Sequence, residues 1–235
     1  MKQTILVTCL LSLVMTGPVK VEVGDDWSDA AGYEECPEWV VANKTLPKPI
    51  EDICGVDLEC AEAEVIDNAD CGFGMVKILA GKWVSTKMLE SEGDSKHNKA
   101  FMSLFLYISG ANEDGAKIPM TAPVFIKTYM DSSFKEIGGS MHFYIPSAFQ
   151  AKPPKPTDDK VYIEEWDDML VYYRALGDKA AKIPGEIWVE EFTNLATALQ
   201  RTGHSFYPYE SLVAGFTSPW DRQQRTEILF TSAKN

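Results

Sequence analysis

Two kinds of hydrophobic pattern succeed one another along residues 61–232, and their order occurs twice. Segments that alternate in the manner of β-strands flank a stretch with helical spacing, once before a proline-rich loop at 146–156 and once after it. Two such halves predict an α+β domain in which one antiparallel sheet or barrel carries two helices. The alternative is an unrelated α+β domain whose halves look alike by chance.

Each half contains one helical stretch, at 94–110 and at 185–203. The residues predicted to face the core are Phe101, Leu104, Phe105 and Ile108 in the first helix and Trp188, Phe192, Leu195 and Leu199 in the second. A glycine ends each stretch. Strands are predicted at 61–66, 73–79, 82–88, 118–128, 140–145, 161–166, 168–176, 211–216 and 226–232.

The strand signal KIPMTAPVFIK, Lys117–Lys127, contains two prolines, which strands usually exclude. Its even-numbered positions are all apolar and are predicted to face the core, whereas Phe125 is the one large apolar residue on the odd-numbered face. Pro119 and Pro123 both lack an N–H group on the same side of the strand. The segment is therefore predicted to lie at a sheet edge or at a local break in pairing.

The N-terminus has the pattern of a secretory signal peptide, predicted at 1–17. Lys2 precedes the apolar run Ile5–Met15, which is too short to span a bilayer comfortably. The chain is therefore expected to be secreted and extracellular. Residues 18–60 are acidic and rich in turn formers, so we interpret them as an N-terminal extension, and 61–235 as the folded domain.

Of five cysteines, Cys9 lies in the predicted signal peptide. The remaining residues are Cys36, Cys54, Cys60 and Cys71. In an oxidising compartment these predict two disulfides, with three possible pairings left open. A metal site is the weaker alternative, because the segment has no CxxC pair and no histidine. Asn43 begins the sequence Asn-Lys-Thr, an N-glycosylation acceptor in a secreted chain.

Charge and motifs narrow the class of function. The formal net charge of −13 argues against a nucleic-acid backbone or an anionic membrane as partner. The motifs GxSxG, HExxH, GxGxxG and the P-loop are missing. Adjacent acids such as Glu164 and Glu165 point to opposite faces of a strand, so they do not form a convergent acid/base pair. These observations predict no enzyme activity and no catalytic metal.

Several motifs together resemble those of the SOUL heme-binding protein family, beginning with KIPMTAPV at 117–124. The others, in the family's order, are GKWVSTKM at 81–88, YIPS at 144–147, VYIEEW at 161–166, VYYRALG at 171–177 and AGFTSPW at 214–220. The resemblance covers about residues 60–235 and implies a distorted eight-stranded antiparallel β-barrel with two flanking helices. It also implies non-covalent binding of heme or a related tetrapyrrole in an apolar groove.

A heme site needs apolar walls, groups that meet the propionates and, in many proteins, an axial ligand. His142, on the more polar face of its strand, is the candidate ligand, whereas His97 is predicted to be a solvated surface residue and His204 a polar turn residue. Some family members carry a histidine in the strand before KWVST, where this chain has Lys77.

The candidates for pairing with propionates are Lys77, Lys82 and Arg174, each of which could equally be an ordinary solvated charge. The family also includes members that act through protein partners. The second hypothesis is therefore a secreted interaction protein with the same fold and no significant heme binding.

Overall fold

The structure is a computed structural model. It describes residues 54, 58–67, 72–89, 93, 95–132, 136–176, 185–217 and 225–233 of the 235. Within these ranges the fold is α+β, with a curled antiparallel sheet and three helices, as the fold class predicts.

The strands are β1 Glu59–Cys60, β2 Ala63–Asp67, β3 Gly74–Ile78, β4 Gly81–Met88, β5 Thr121–Ala122, β6 Val124–Met130, β7 Glu136–Tyr144, β8 Val161–Trp166, β9 Met169–Ala175, β10 Phe206–Gly215 and β11 Thr226–Ser232. The helices are α1 Lys96–Ile108, α2 Ser147–Gln150 and α3 Gly185–Arg201. The short α2, inside the proline-rich loop, was not predicted.

Apart from β2 at one end, the strand order of the main sheet is symmetric about its centre. The order is β2-β3-β9-β11-β10-β6-β7-β4-β8, with β6 and β10 side by side in the middle. One half of the repeat supplies β3, β4, β6 and β7, and the other supplies β8 to β11. The first strand of each half pairs with the second strand of the other, β3 with β9 and β8 with β4. The predicted repeat is therefore confirmed, and its halves are interlocked.

The sheet differs from the expected eight strands in two respects. The additional strand β2 extends it to nine strands in the described part of the chain. A separate parallel pair, β1 with β5, lies beside it. Cys60, which the domain prediction placed at the end of the extension, thus forms part of a strand that pairs with the folded unit.

Both long helices cover the same face of the sheet, which we call the outer face. α1 packs on β4, β7 and β8, and its Leu104 is fully buried against Val84 and Phe143. The corresponding cluster under α3 contains Phe192, Leu195, Leu199, Phe206 and Phe230. Ile126 contacts both clusters, so they form one continuous layer.

The predicted buried face of α1 is partly wrong. Leu104 and Ile108 are buried and Phe101 is partly buried, but Phe105 is 41% exposed. The apolar surface of the helix is wider than the area that the sheet can cover. The prediction for Trp188 concerns a side chain outside the described set, whereas Phe192, Leu195 and Leu199 are buried as predicted.

The sequence predicted that the two prolines lie at a sheet edge or at a local break in pairing. The structure shows a local break in pairing. Pro119 precedes β5, and Pro123 separates β5 from β6 after a cis Ala122–Pro123 bond. The single strand predicted at 118–128 is therefore wrong, because β5 pairs with β1 while β6 lies between β10 and β7 at the sheet centre. Phe125 is only 3% exposed, since its face of the strand contacts a second core rather than solvent.

One disulfide is present among the described residues, between Cys54 and Cys60, with their Cα atoms 5.4 Å apart. Both residues pack against the cluster on the face opposite the helices. Cys36, Cys71, Asn43 and the predicted signal peptide lie outside the described residues. No helix in the described ranges is long and apolar enough to cross a membrane.

The sheet centre gives a stability prediction. A Cβ at Gly139 would collide with the Lys127 carbonyl oxygen of the neighbouring strand, whereas one at Gly215 would have its nearest atom at 3.8 Å. Gly139→Ala should therefore reduce the free energy of unfolding by about 1–3 kcal/mol, and Gly215→Ala should change it by less than about 1 kcal/mol. Chemical denaturation measures both values, and an equal loss in the two variants would contradict the packing described.

Candidate functional site

The helix-free side of the sheet, which we call the inner face, carries a dense aromatic cluster. Trp83 of β4 is fully buried, and its ring stacks on Trp166 of β8 at 4.6 Å between centroids. Phe125 and Tyr144 each lie 5.2 Å from Trp83. These residues share one face because they occupy alternate positions of paired strands.

A hydrogen-bonded polar network lies beside this cluster and centres on His142, which is 2% exposed. Its Nδ1 lies 2.6 Å from Glu164 Oε1 and 2.7 Å from Ser85 Oγ. Its Nε2 lies 2.9 Å from Ser140 Oγ. Ser85 Oγ also donates to Glu164 Oε1 at 2.8 Å. The network therefore joins β4, β7 and β8 and uses both imidazole nitrogens.

The partners of His142 determine its tautomer. An ionised carboxylate only accepts hydrogen bonds, so the Nδ1 atom facing Glu164 must carry the hydrogen. Nε2 then has a free lone pair and accepts the hydroxyl hydrogen of Ser140. The ring of Trp166 packs against the imidazole at 4.9 Å between centroids and limits its rotation.

Burial and hydrogen bonding set the charges of the network. Burial lowers the pKa of His142, and the hydrogen bond to Glu164 offsets this only in part. Burial alone would raise the pKa of Glu164, but hydrogen bonds from His142 and Ser85 outweigh it and lower that pKa to about 2. At neutral pH the pair is therefore a neutral imidazole that donates to a carboxylate.

A cleft of about 260 Å³ adjoins the network on the inner face. Its lining residues are Lys127, Trp166, Asp167, Asp168, Met169, Glu210, Leu212 and Thr231. Two ion pairs lie at this cleft, Lys127 to Glu210 at 2.6 Å and Lys77 to Asp168 at 2.5 Å. The lining is acidic, because it contains three carboxylates and one lysine. The cleft is smaller than typical ligand pockets, which have volumes of roughly 300–1,000 Å³.

The four predicted heme contacts have four different environments. His142 is in the inner-face network, and Lys77 pairs with Asp168 beside the cleft. Lys82 Nζ donates to the Gln150 carbonyl at 2.9 Å, at the end of α2. Arg174 is buried on the outer face, where its Nε donates to Glu191 of α3 at 2.9 Å. Their assignment to heme stays a prediction, and Lys82 and Arg174 have contacts that stabilise the fold.

The other two histidines differ in their surroundings. The His97 side chain is 42% exposed and lies 3.8 Å from Glu136, as expected for a surface residue. His204 was predicted to be a simple turn residue, but its ring packs edge-on against Phe73 and Tyr172. Its Nδ1 is also 2.8 Å from Thr202 Oγ1 at the end of α3. His204 therefore helps to anchor that end of the helix.

A second candidate surface lies on α1, facing away from the sheet. Met102, Phe105 and Leu106 are 49%, 41% and 54% exposed, respectively. Their i, i+3, i+4 spacing places them on one side of the helix. We call these three residues the α1 apolar stripe. An exposed group of large apolar side chains on a soluble fold commonly marks a binding surface.

Sequence reasoning identified His142 but not its partners Ser85, Ser140 and Glu164. The spacing of Ser140 and His142, two residues apart on one strand, was visible as a signal that they share a face. Ser85 and Glu164 become neighbours of His142 only through the pairing of β4 with β7 and β8. In the described part of the chain, no group of three or more His, Cys, Asp or Glu side chains could hold a metal ion.

Comparison with known proteins identifies the class. A family model described as "SOUL heme-binding protein" matches residues 58–231, and the chain therefore belongs to that family. It is 33% identical to Heme-binding protein 2 of Mus musculus over 157 residues, which are 66% of this chain and 74% of that protein. Heme-binding protein 2 of Homo sapiens is 32% identical over the same shares of the two chains.

Similarity to solved structures is weaker. The crystal structure of the EcmrR C-terminal domain superposes with a TM-score of 0.49 at 13% identity, covering 68% of this chain and 95% of that one. A likeness at this level adds nothing to the functional argument.

The protonation of His142 is directly measurable. We expect an NMR titration to give the imidazole a pKa below 6.5, because burial disfavours its charged form. Glu164→Gln should lower this pKa further, since the variant removes the carboxylate that favours the cation. The signal is assigned by its loss in His142→Gln, and a wild-type pKa above 6.5 would contradict the network.

The same shift predicts how stability depends on pH. The unfolded chain binds the His142 proton near pH 6.5 and the folded chain binds it only at lower pH. Protons therefore favour the unfolded state, and the free energy of unfolding falls as pH decreases below about 6.5. Denaturation curves of His142→Gln should show a shallower loss over this range than those of the wild type.

Proposed function

We propose that this protein binds heme or a related tetrapyrrole non-covalently, at the α1 apolar stripe. The observation that carries the proposal is the 41–54% exposure of Met102, Phe105 and Leu106 on a helix whose opposite side is buried. The family and the names of its relatives support a tetrapyrrole as the occupant. A flat apolar macrocycle suits an exposed apolar helix face, because binding removes both surfaces from water.

The inner face fits a heme less well than α1. Both nitrogens of His142 already have hydrogen-bond partners, so ligation of iron would break the bond between Nε2 and Ser140. The cleft is small, and its acidic lining would repel two propionates. On α1 the thioether of Met102 is a possible iron ligand. Lys99, exposed and one turn earlier on the helix, could attract a propionate.

The expected affinity is moderate. A Kd of about 1 μM corresponds to roughly 8 kcal/mol, which needs more than about 300 Å² of buried apolar surface at roughly 25 cal/mol per Å². Association costs add to this requirement. The α1 apolar stripe offers three side chains and no closed pocket, so we propose carriage or capture rather than tight storage.

We also propose that the protein is secreted, that residues 1–17 are removed and that Asn43 is glycosylated. Tetrapyrrole binding itself involves no catalysis in this proposal. The support is the N-terminal pattern and the Cys54–Cys60 disulfide. That pairing leaves Cys36 and Cys71 as the second proposed pair. Expression in a eukaryotic secretory host, followed by N-terminal sequencing, glycosidase digestion and non-reducing peptide mapping, tests each of these points.

An interaction protein without heme binding is the second candidate. The full engagement of His142 favours it, because the most deeply placed histidine is not available to iron. On this alternative the α1 apolar stripe would contact a protein, and heme would bind no better than to other exposed apolar groups.

Hemin titration separates the two candidates. We expect a saturable Soret shift and tryptophan quenching at micromolar hemin, and at least about tenfold weaker binding in the double variant Phe105→Ser/Leu106→Ser, because it removes apolar contact area. His142→Gln should leave the affinity unchanged. Val65→Ser, at a 64% exposed apolar residue on β2, is the matched control and should also bind normally. An unsaturable titration would eliminate the tetrapyrrole proposal.

A further inference from the structure

The inner-face network contains a hydroxyl, an imidazole and a carboxylate in an order that can activate a nucleophile. Ser140 Oγ donates to His142 Nε2 at 2.9 Å, and the opposite nitrogen of the ring donates to Glu164 at 2.6 Å. In this order the imidazole can take the serine proton while the carboxylate holds the ring and stabilises its cation. His142 is neutral at neutral pH, as a general base must be.

The network contains two serines, and only one is placed as a nucleophile. Ser85 Oγ contacts Nδ1 and Glu164, and its residue is fully buried. Ser140 contacts Nε2, the nitrogen with the free lone pair, and is 8% exposed. Ser85 is therefore a positioning residue that helps to hold Glu164, whereas Ser140 has the base and keeps a small exposed fraction.

Two lysines flank Ser140 on the same face. Lys87 of β4 and Lys127 of β6 are its direct partners in the two neighbouring strands. Directly opposite residues in antiparallel strands lie on one face, with Cβ atoms about 4.5–5.5 Å apart. Lys87 is exposed and Lys127 lines the cleft. Lys127 Nζ is ion-paired with Glu210 at 2.6 Å, so of the two flanking lysines Lys87 is the candidate to meet negative charge that develops at a group bonded to Ser140.

Open space lies beside Gly138, two residues before Ser140 on the same face of β7, where a Cβ would meet no atom within 4 Å. The cleft approaches from the other direction, because its lining residue Trp166 packs against His142. The substrate proposed below would approach Ser140 from one of these two sides.

We propose that Ser140 is the nucleophile of an acyl-transfer site that hydrolyses small carboxylic esters, with His142 as general base and Glu164 as its positioning residue. Ser140 Oγ attacks the ester carbonyl carbon and its proton passes to His142 Nε2. The carbon–oxygen bond to the alcohol then breaks, and the departing oxygen takes that proton from Nε2. Water attacks the acyl-serine, returns a proton through His142 to Ser140 and releases the carboxylic acid.

This activity goes beyond tetrapyrrole binding and does not depend on it, since the α1 apolar stripe lies on the outer side of the sheet. The competing explanation is that the network only satisfies buried hydrogen-bonding groups. A structural network of that kind would give neither a covalent adduct at Ser140 nor catalytic turnover.

The first test treats the full-length wild-type protein with a fluorophosphonate and locates the adduct by peptide mass spectrometry. We expect labelling at Ser140, because its hydroxyl is hydrogen-bonded to the imidazole nitrogen that can accept the proton. Exposed Ser147 is the internal control and should stay unlabelled. Since no substitution is involved, the result does not depend on whether a variant folds, and the absence of an adduct at Ser140 overturns the proposal.

The second test measures multiple-turnover hydrolysis of p-nitrophenyl acetate. Ser140→Ala and His142→Gln should each lose at least about 100-fold in kcat, Lys87→Met should lose about tenfold or more, and Ser147→Ala should retain full activity. The rate should fall at low pH with the same pKa that NMR gives for His142. Turnover that persists in Ser140→Ala, or that ignores this pKa, overturns the assignment. Unchanged hemin affinity in Ser140→Ala would keep the two proposals separate.

Discussion

The exchange of strands between the two halves is the constraint on which the structure depends. β8 belongs to the second half but pairs with β4 of the first, and β3 belongs to the first half but pairs with β9 of the second. Neither half can complete its part of the sheet alone, because each lacks the strand that the other supplies. The outer core under α1 and α3 is continuous through Ile126 for the same reason.

The inner-face network is a direct consequence of that exchange. Ser85 lies opposite His142 in the β4–β7 register, and β8 brings Glu164 opposite Trp83, which is two residues before Ser85 on the same face of β4. Without the exchanged strand, His142 would have no carboxylate partner. The two proposed functions use opposite sides of this sheet, apolar contact outside on α1 and polar chemistry inside, so one can be altered without the other.

Periodicity predicted much of the fold, and its failures have physical causes. Leu104 and Leu195 were correctly placed in the core because a helix that packs on a sheet must bury one side. Phe105 was wrongly placed in the core, because helical spacing does not show how much of the helix surface the sheet covers. Glu164 was missed because it lies 22 positions after His142, and a local motif search for an enzyme cannot detect groups that only strand pairing brings together.

The sequence by itself determined the α+β class, the duplicated order and the family, since these follow from local spacing and from contiguous motifs. From the missing N–H groups of Pro119 and Pro123 it predicted either a sheet edge or a break in pairing. Tertiary structure alone decided which strands were exchanged, that Phe125 faces a second core, and that His142 meets Ser85, Ser140 and Glu164. The physical reason is that a hydrogen bond between side chains depends on the register of paired strands, and register is set by how the whole sheet buries its two faces.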